Sequence, residues 1–323
     1  MYVLELAGTD DEFAAYEAEA VASGVEVFAP GLARARGLGD RIRDLAFTHR
    51  ASHLVGTCDP TVPDAQRLLS AAGIDRVGSV AVRAVDVRGT TGVDTQRVER
   101  ELGSVLVDRG FDVDLDDPDH ELRALFAGET CALGWLVAAT ERGFGGRKPG
   151  DRPFFQPGSM DPMLARALAN IAGAKPGATV LDPMCGTGGI LIEAGLVGAR
   201  TLGVDAQSKM VTGARENLRA LLDGDWSVLQ GDAASLPLAD DSVDGVVFDA
   251  PYGRQSKIRG DLGTLVGDAL GEAGRVAPRC VVVGDRPWAR PAGAAGWQTE
   301  AAFTRRVHRS LTRYIVVLGR RER

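Results

Sequence analysis

The second half of the chain alternates short apolar runs with stretches of helical spacing, and this rhythm limits the folds open to it. Helical patterns fall at 190–197 and 210–222. Strands that alternate with helices of ten to fifteen residues predict a mostly parallel sheet with helices on both faces. Ligands of such sheets bind at the carboxyl ends of the strands. Five runs have the composition of buried strands: 178–182, 201–205, 226–230, 243–249 and 280–284.

The turn after the first of these strands is rich in glycine and opens with an acid. It reads Asp182-Pro183-Met184-Cys185-Gly186-Thr187-Gly188-Gly189. A nicotinamide fingerprint, GxGxxG, needs a third glycine, and Leu191 stands there instead. The pattern D-x-x-x-G-x-G resembles the first motif of class I S-adenosylmethionine-dependent methyltransferases. Their cofactor carries an ammonium group and no pyrophosphate, which suits an acid beside the loop.

Acids also stand at the next strand ends. Asp205 ends the second strand, and Asp232 follows the third. By the class I resemblance, Asp205 accepts the ribose hydroxyls and Asp232 accepts from the adenine amino group. The alternative is that each acid caps the helix that follows. The resemblance implies these cofactor-binding residues: Phe155, Pro157, Asp182, Cys185, Gly186, Gly188, Asp205, Ala206, Asp232, Ala233 and Asp249.

The fourth strand ends in Asp249-Ala250-Pro251-Tyr252, followed by Gly253. This tetrapeptide resembles the (Asp/Asn)-Pro-Pro-Tyr motif of methyltransferases that act on exocyclic amines. The resemblance implies a catalytic site in which Asp249 and the carbonyl of Ala250 accept the N–H bonds of a guanine N2 amine and Tyr252 stacks on the base. Ala250 replaces the usual first proline, which keeps the carbonyl but loses some stiffness. The alternative is an ordinary strand end followed by a proline turn.

Two flanking segments extend the resemblance. Residues 152–160, Arg-Pro-Phe-Phe-Gln-Pro-Gly-Ser-Met, resemble the segment that closes over the cofactor; a hydrophobic clasp is the alternative. Residues 305–313 are basic and lead into the apolar run 314–318. This pattern predicts the terminal hairpin of the sheet, with a basic edge for RNA. A solvated edge strand guarded by charge is the alternative.

The first half of the chain predicts smaller α/β units, with a first helix that Asp10-Asp11-Glu12 open and that continues through Ala22, and with a strand-like alternation at 111–115. The acidic segment 112–119, followed by Glu121-Leu122-Arg123 and Leu133-Gly134, resembles a THUMP domain, an RNA-binding module of tRNA-modifying enzymes. The residues before it are similar to the ferredoxin-like domain that accompanies THUMP. A plain α/β domain is the alternative. We therefore predict four segments: a ferredoxin-like domain at 1–55, a THUMP domain at 56–141, a linker and cofactor-closing segment at 142–160, and a methyltransferase domain at 161–323.

The composition of the chain bears on whether it binds nucleic acid, metal or membrane. The net charge is −7, but residues 1–150 carry 16 basic and 25 acidic side chains, whereas 151–323 carry 21 and 19. Only four of the 37 basic residues are lysine, which fits GC-rich codons, salt adaptation or phosphate binding. The four cysteines form no CxxC pair, and no signal peptide or apolar run of about 20 residues occurs, so we expect a cytoplasmic protein without membrane contact. His49 and His53 stand four apart, as a metal pair on a helix would, but no third ligand is near and no metal is expected.

Together the motifs resemble the archaeal tRNA (guanine-10-N2)-methyltransferase family, a THUMP domain joined to a class I methyltransferase. The resemblance implies S-adenosylmethionine-dependent methylation of guanine N2 in tRNA, most simply of guanine 10, giving either N2-methylguanosine or, after a second transfer, the dimethyl form. The alternatives are another guanine of tRNA or rRNA, adenine N6 in DNA, and a non-catalytic tRNA-binding subunit. A related eukaryotic enzyme requires a small activating protein, and the sequence does not indicate whether this chain does.

Overall fold

The chain divides into two compact units, and each is described by itself. The computed structural model describes residues 1–252, 261–308 and 311–320. Unit 1 comprises Met1–Glu141 and unit 2 comprises Arg142–Arg323. Within the described ranges, no helix is long and apolar enough to cross a membrane.

Unit 1 is built on a mixed sheet of eight strands in the order β3-β4-β1-β6-β10-β9-β7-β8, with a separate β2-β5 pair. Its strands are β1 (Tyr2–Leu6), β2 (Ala22–Ser23), β3 (Glu26–Ala29), β4 (Leu32–Ala35), β5 (Gly37–Leu38), β6 (Thr48–Cys58), β7 (Ser79–Asp86), β8 (Asp112–Val113), β9 (His120–Ala127) and β10 (Thr130–Ala139). Its helices are α1 (Asp11–Ala18), α2 (Val62–Ala71) and α3 (Thr95–Val107).

Strand β6 lies at the centre of this sheet. It pairs antiparallel with β1 on one side and with β10 on the other. The predicted boundary between residues 55 and 56 therefore falls inside β6, and both predicted N-terminal modules contribute to one sheet. The assignment of these modules to ferredoxin-like and THUMP domains stays a prediction. Helices α2 and α3 bury Leu69, Leu102 and Leu106 against β7, β9 and β10 in one core.

Unit 2 contains, within the described residues, a seven-stranded sheet in the order β13-β12-β11-β14-β15-β17-β16. Its strands are β11 (Thr179–Asp182), β12 (Arg200–Asp205), β13 (Trp226–Gln230), β14 (Gly245–Asp249), β15 (Arg279–Gly284), β16 (Trp297–His308) and β17 (Leu311–Arg320). Its helices are α4 (Pro162–Ile171), α5 (Gly189–Leu196), α6 (Ser208–Leu221), α7 (Leu262–Val276) and α8 (Ala289–Ala294).

The order of the strands positions the site. The five strands β11 to β15 run parallel, and the β16-β17 hairpin adds two antiparallel strands. This confirms the predicted mostly parallel seven-stranded sheet and the terminal hairpin. The chain first builds outward from β11 to β13 and then returns to place β14 on the other side of β11. A ligand crevice opens at the carboxyl ends of the strands where the order reverses in this way.

The central strands of this sheet, such as β14 and β15, are buried on both faces. Val246 and Phe248 of β14 join a core with α7 and α8, while Val247 between them points to the other face and is equally buried. Helices α5 and α6 form a second core around Leu191 and Leu218. Strands covered on both faces read as continuous apolar runs. This explains why the strands of unit 2 are visible in the sequence.

Three sequence expectations are corrected. The first helix ends at Ala18 rather than Ala22, because residues 22–23 pair with 37–38 as β2 and β5. The alternating segment 111–115 forms only the two-residue strand β8. His49 and His53 lie on β6 and not on a helix. A spacing of four residues does not distinguish the two elements, because residues four apart share a face in a strand as well as in a helix.

Candidate active site

The glycine-rich loop leads from β11 into α5. Gly188 caps the helix with a φ of +79°, and a Cβ placed there would lie 2.5 Å from Cδ1 of Leu218. Gly186 has a φ of +49°, and a Cβ there would meet nothing within 4 Å. The loop thus needs glycine for its backbone at both positions and for close packing at one. It leaves open space above Gly186.

Asp182 closes β11 directly beneath this loop. Its side chain is almost fully buried, and Oδ1 accepts a hydrogen bond from the Met184 N–H at 3.0 Å. Burial raises the pKa of Asp182 well above its ordinary value, and the charges of Asp205 and Asp249 raise it further. In the part of the chain that the structure describes, no cation is paired with Asp182, and a buried carboxylate without such a partner is costly. The position therefore favours a ligand that brings a positive charge.

Asp205, at the end of β12, holds the loop from the side. Its Oδ2 accepts the N–H of Gly186 at 3.0 Å, and its Oδ1 accepts the N–H of Gln207 at 2.9 Å. Burial raises the pKa of Asp205, and these two hydrogen bonds oppose the shift. Each carboxylate oxygen accepts more than one hydrogen bond, so hydroxyl donors of a ligand still find acceptors here.

The other residues predicted to bind the cofactor differ in how far their side chains are exposed to solvent. Cys185 is buried among the side chains of α5 and α6, and its N–H is bonded to the carbonyl of Val204 at 2.9 Å. Ala206 is exposed. Asp232 is exposed after β13, its Oδ1 accepts the Ala234 N–H at 2.9 Å, and Ala233 beside it is buried. Cys185 therefore supports the loop from below, whereas Ala206 and Asp232 remain accessible.

Asp249, Tyr252 and Arg313 form a hydrogen-bonded chain at the end of β14. The Tyr252 hydroxyl donates to Oδ1 of Asp249 at 2.6 Å, and Nε of Arg313 donates to the Tyr252 oxygen at 3.1 Å. Nη2 of Arg313 lies 3.5 Å from Oδ2 of Asp249. The Ala250 N–H bonds the carbonyl of Val283 on β15 at 2.8 Å, which holds the strand end in place.

The electrostatics of this chain balance burial against charge. Burial raises the pKa of Asp249, the Arg313 charge and the Tyr252 hydrogen bond lower it in part, and Asp285 raises it. Burial and the neighbouring Asp249 charge raise the pKa of Tyr252, so its phenol stays protonated. Pro251 follows Ala250 and is half-buried, and Gly253 of the predicted motif lies outside the described residues.

Residues 152–160 lie against the glycine loop and α6. Asn217 of α6 donates to the carbonyls of Phe154 and Thr187, each at 2.9 Å, and accepts the Phe154 N–H at 2.8 Å. The Ser159 hydroxyl lies 3.1 Å from that of Thr187. Phe155 and Pro157 are exposed. The segment is thus tied to the loop through Asn217, and it presents the two residues predicted to contact the cofactor to solvent.

Arg152 is the buried cation at the base of the loop. Its Nε donates to the carbonyl of Arg147 at 3.0 Å, while Nη1 and Nη2 are buried without a hydrogen-bond partner among the described residues. A Cβ on Gly189, in the first turn of α5, would lie 2.9 Å from Nη1. Burial lowers the pKa of Arg152. The carboxylates of Glu193 and Asp161 offset part of that shift. Two guanidinium nitrogens without a hydrogen-bond partner, beside the positive end of a helix, favour a further acceptor group.

The structure brings Asp182, Asp205 and Asp249 within electrostatic range of one another at one end of the sheet. Sequence reasoning missed the roles of Arg152, Asn217 and Arg313 in this arrangement. Arg313 stands in a basic run, and its burial follows from the alternation of β17, in which Ile315 and Val317 are buried as well. Asn217 carried no signal beyond a polar residue on an otherwise buried helix face. Among the described residues, no three His, Cys, Asp or Glu side chains are grouped to hold a metal ion.

Comparisons with known proteins agree with this architecture. A family described as the RMKL-like methyltransferase domain matches residues 149–315. The chain is 35% identical over 294 residues to the tRNA (guanine(10)-N2)-dimethyltransferase of Methanothermobacter thermautotrophicus, covering 85% of this chain and 83% of that protein. The chain belongs to the archaeal tRNA (guanine-10-N2)-methyltransferase family.

Two further proteins are similar to this methyltransferase. The tRNA (guanine(6)-N2)-methyltransferase of Thermus thermophilus is 34% identical over 228 residues, which cover 67% of this chain and 64% of that protein. The crystal structure of TrmN from Thermus thermophilus covers 99% of both chains with a TM-score of 0.50 at 24% identity. The second likeness shows the fold. The predicted family, fold class and enzyme class are confirmed, whereas the roles of the individual site residues stay predictions.

Proposed function

We propose that this enzyme transfers a methyl group from S-adenosylmethionine to the exocyclic N2 amine of a guanine in tRNA. Guanine 10 is the favoured position, because the Methanothermobacter relative named for it matches over most of both chains. A second transfer to the same nitrogen gives N2,N2-dimethylguanosine. The observation that carries the proposal is the carboxylate of Asp249, partly buried at the end of β14 and bonded to Tyr252.

The residues around the glycine loop fit this methyl donor. When bound, the donor supplies an electrophilic methyl group on a sulfonium. Its amino-acid end is a zwitterion, and the loop region offers a buried carboxylate, Asp182, and a buried guanidinium with two unpartnered nitrogens, Arg152. Asp205 would accept the ribose hydroxyls, and Asp232 with Ala233 would lie at the adenine. The open side of Gly186 leaves room for a ligand to approach the backbone.

On the base side, Asp249 and the carbonyl of Ala250 would accept the two N–H bonds of the guanine amine. The lone pair of this nitrogen is delocalised into the ring, and two acceptors favour a pyramidal nitrogen whose lone pair is free to react. The new N–CH₃ bond replaces the S–CH₃ bond, and one amine proton is released. Asp249 is placed to hold that proton, since burial raises its pKa. Pro251 would restrict the backbone, and Tyr252 would stack on the base.

Methyl transfer to unmodified tRNA tests the proposal. Wild-type protein with tritiated donor is expected to label tRNA, and Asp249→Ala is expected to lose about 10²-fold or more in kcat, because it removes an acceptor that positions the amine. Asp232→Ala, at an exposed acid of the donor side, serves as the comparison and is expected to change mainly the KM for the donor. Equal labelling by wild type and Asp249→Ala would refute the catalytic assignment.

Two alternatives are separated by mapping the product. Mass spectrometry of digested tRNA identifies the modified nucleotide and counts its methyl groups. Modification of guanine 6 instead of 10 would favour the function for which the Thermus relative is named. A non-catalytic tRNA-binding subunit predicts no labelling at all. The presence of Asp182, Asp205 and Asp249 at successive strand ends argues against that alternative.

Unit 1 is proposed to bind the tRNA, as the THUMP resemblance implies. Residues 142–323 form a separate compact unit that contains the whole candidate site. This fragment is therefore expected to bind S-adenosylmethionine like the full chain and to lose affinity for tRNA. Calorimetry and filter binding measure the two affinities. Unchanged tRNA affinity of the fragment would remove the RNA-binding role of unit 1.

A further inference from the structure

Arg313 is buried in unit 2 and contacts both side chains proposed to handle the base. Only 6% of its side chain is exposed, compared with 21% for Asp249. Its Nε donates to the Tyr252 hydroxyl at 3.1 Å, and its Nη2 lies 3.5 Å from Oδ2 of Asp249. The Tyr252 hydroxyl donates in turn to Oδ1 at 2.6 Å. One guanidinium therefore fixes the separation between the carboxylate and the tyrosine.

The charge of this guanidinium opposes several effects that disfavour an anion at Asp249. Burial disfavours it, and so do the carboxylates of Asp285, which follows β15, and Asp182, which ends β11. Arg313 on β17 and the Tyr252 hydroxyl favour it. A neutral carboxylic acid would accept poorly from an amine, because one of its oxygens carries a proton. Arg313 therefore favours the ionised form of Asp249, together with the Tyr252 hydroxyl, and contacts both groups.

The place of Arg313 in the sheet makes this contact rigid. Its neighbour Tyr314 pairs with Gly284 at the end of β15, next to β14. Arg313 therefore reaches the ends of the central strands from the antiparallel hairpin. A side chain held by strand pairing and burial positions its partners more tightly than a side chain on a loop does.

We propose that Arg313 is a positioning residue for methyl transfer, which holds Tyr252 and presents Asp249 as an anion to the base amine. The inference rests on the function proposed above. It assigns the last strand of the sheet a part in the reaction that the Asp-Ala-Pro-Tyr motif does not contain. A merely structural arginine would affect folding and donor binding, whereas a positioning residue affects kcat and its pH dependence.

Three variants test this role. Arg313→Gln is expected to lower kcat about 10²-fold at pH 7, with the KM for S-adenosylmethionine unchanged, and to move the acid limb of the kcat profile to higher pH. Arg313→Lys keeps the charge but not the planar fork, so we expect it to retain the wild-type acid limb and to recover part of kcat. Arg320→Gln is the matched control, because Arg320 lies on the same strand, is exposed and pairs with Asp241.

A second readout needs neither donor nor RNA. In protein labelled with ¹³C at the tyrosine Cζ, Tyr252→Phe identifies the Tyr252 signal. This signal is expected to shift in Arg313→Gln and in Arg313→Lys but not in Arg320→Gln. If Arg313→Gln does not fold, Arg313→Lys carries the test, and its full kcat with an unshifted Tyr252 signal would overturn the proposal. Wild-type kcat and pH profile in a folded Arg313→Gln would overturn it as well.

Failure of the proposed function looks different. In that case the wild-type protein methylates no tRNA guanine, while the Tyr252 signal still responds to Arg313→Gln. The hydrogen-bonded chain would then exist without the reaction assigned to it.

Discussion

Gly188 offers a direct test of how the loop is built. In Gly188→Ala the new methyl group meets two obstacles: a left-handed backbone with φ of +79° and Cδ1 of Leu218 at 2.5 Å. The first costs about 1–2 kcal/mol for a residue other than glycine. The second costs about 1–3 kcal/mol, the usual range for an overpacked core. We therefore expect a loss of about 2–5 kcal/mol in the free energy of unfolding.

Gly177→Ala separates the two costs. Gly177 has a similar φ, +83°, and a Cβ there meets nothing within 4 Å. It should lose only the backbone cost of about 1–2 kcal/mol. The difference between the variants measures the contact with Leu218.

Urea denaturation measured by tryptophan fluorescence suits this comparison. Trp226, Trp288 and Trp297 all lie in unit 2, while Trp135 lies in unit 1. Calorimetry with S-adenosylmethionine adds a functional readout. Gly188→Ala should also displace the loop and weaken donor binding. We expect the Kd for S-adenosylmethionine to rise at least about tenfold, which corresponds to a loss of about 1.4 kcal/mol in binding free energy. If Gly188→Ala and Gly177→Ala unfold at the same urea concentration, the close packing of the loop on α6 is refuted.

Three other substitutions address the neighbouring contacts. Asn217→Ala removes the side chain that bonds the backbone groups of Phe154 and Thr187. It should lower the free energy of unfolding by about 2–4 kcal/mol in urea denaturation and weaken donor binding in calorimetry. Unchanged donor affinity would contradict the link between segment 152–160 and the loop. Asp182→Asn should melt above wild type at pH 7 in scanning calorimetry. Because burial raises the pKa of Asp182 in the folded protein, the free energy of unfolding of the wild type is highest below the unfolded pKa of about 3.9 and falls as the pH rises towards the raised pKa. The difference from Asp182→Asn should therefore vanish in acid, and a constant difference at all pH values would argue against it. Glu193→Gln removes the charge that pairs with Arg147 and Arg166, each of which lies 2.9 Å from this buried carboxylate. We expect the free energy of unfolding to fall by about 3–5 kcal/mol. A fall of less than about 1 kcal/mol in urea denaturation would show that the two arginines find other partners.

Much of unit 2 could be predicted because its central strands are buried on both faces. A strand such as β14 then appears as an uninterrupted apolar run, and the acid that ends it is conspicuous. The glycines at 186 and 188 are an equally clear signal in the sequence, because their positive φ angles favour glycine. These signals are local in sequence, so periodicity and turn chemistry are sufficient to find them.

The missed contacts are long-range. Arg313 reaches Asp249 across 64 residues, and Asn217 reaches Phe154 across 63. No spacing rule connects such pairs, because only the strand order places β17 beside β15 and lays segment 152–160 on α6. The strands of unit 1 were harder to predict from the sequence for a related reason. Residues 111–115 alternate like a strand, yet only Asp112 and Val113 form one.

The central position of β6 in unit 1 sets a limit on dissection of the chain. A fragment that starts at residue 56 would lack most of this strand and leave the inner edge of β10 bare. Unpaired inner edges recruit other chains, so such fragments are prone to aggregate. Because the segments 1–55 and 56–141 share one sheet, we expect them to melt in one cooperative step. Chimeras with relatives are best joined at residue 141, where no strand is cut.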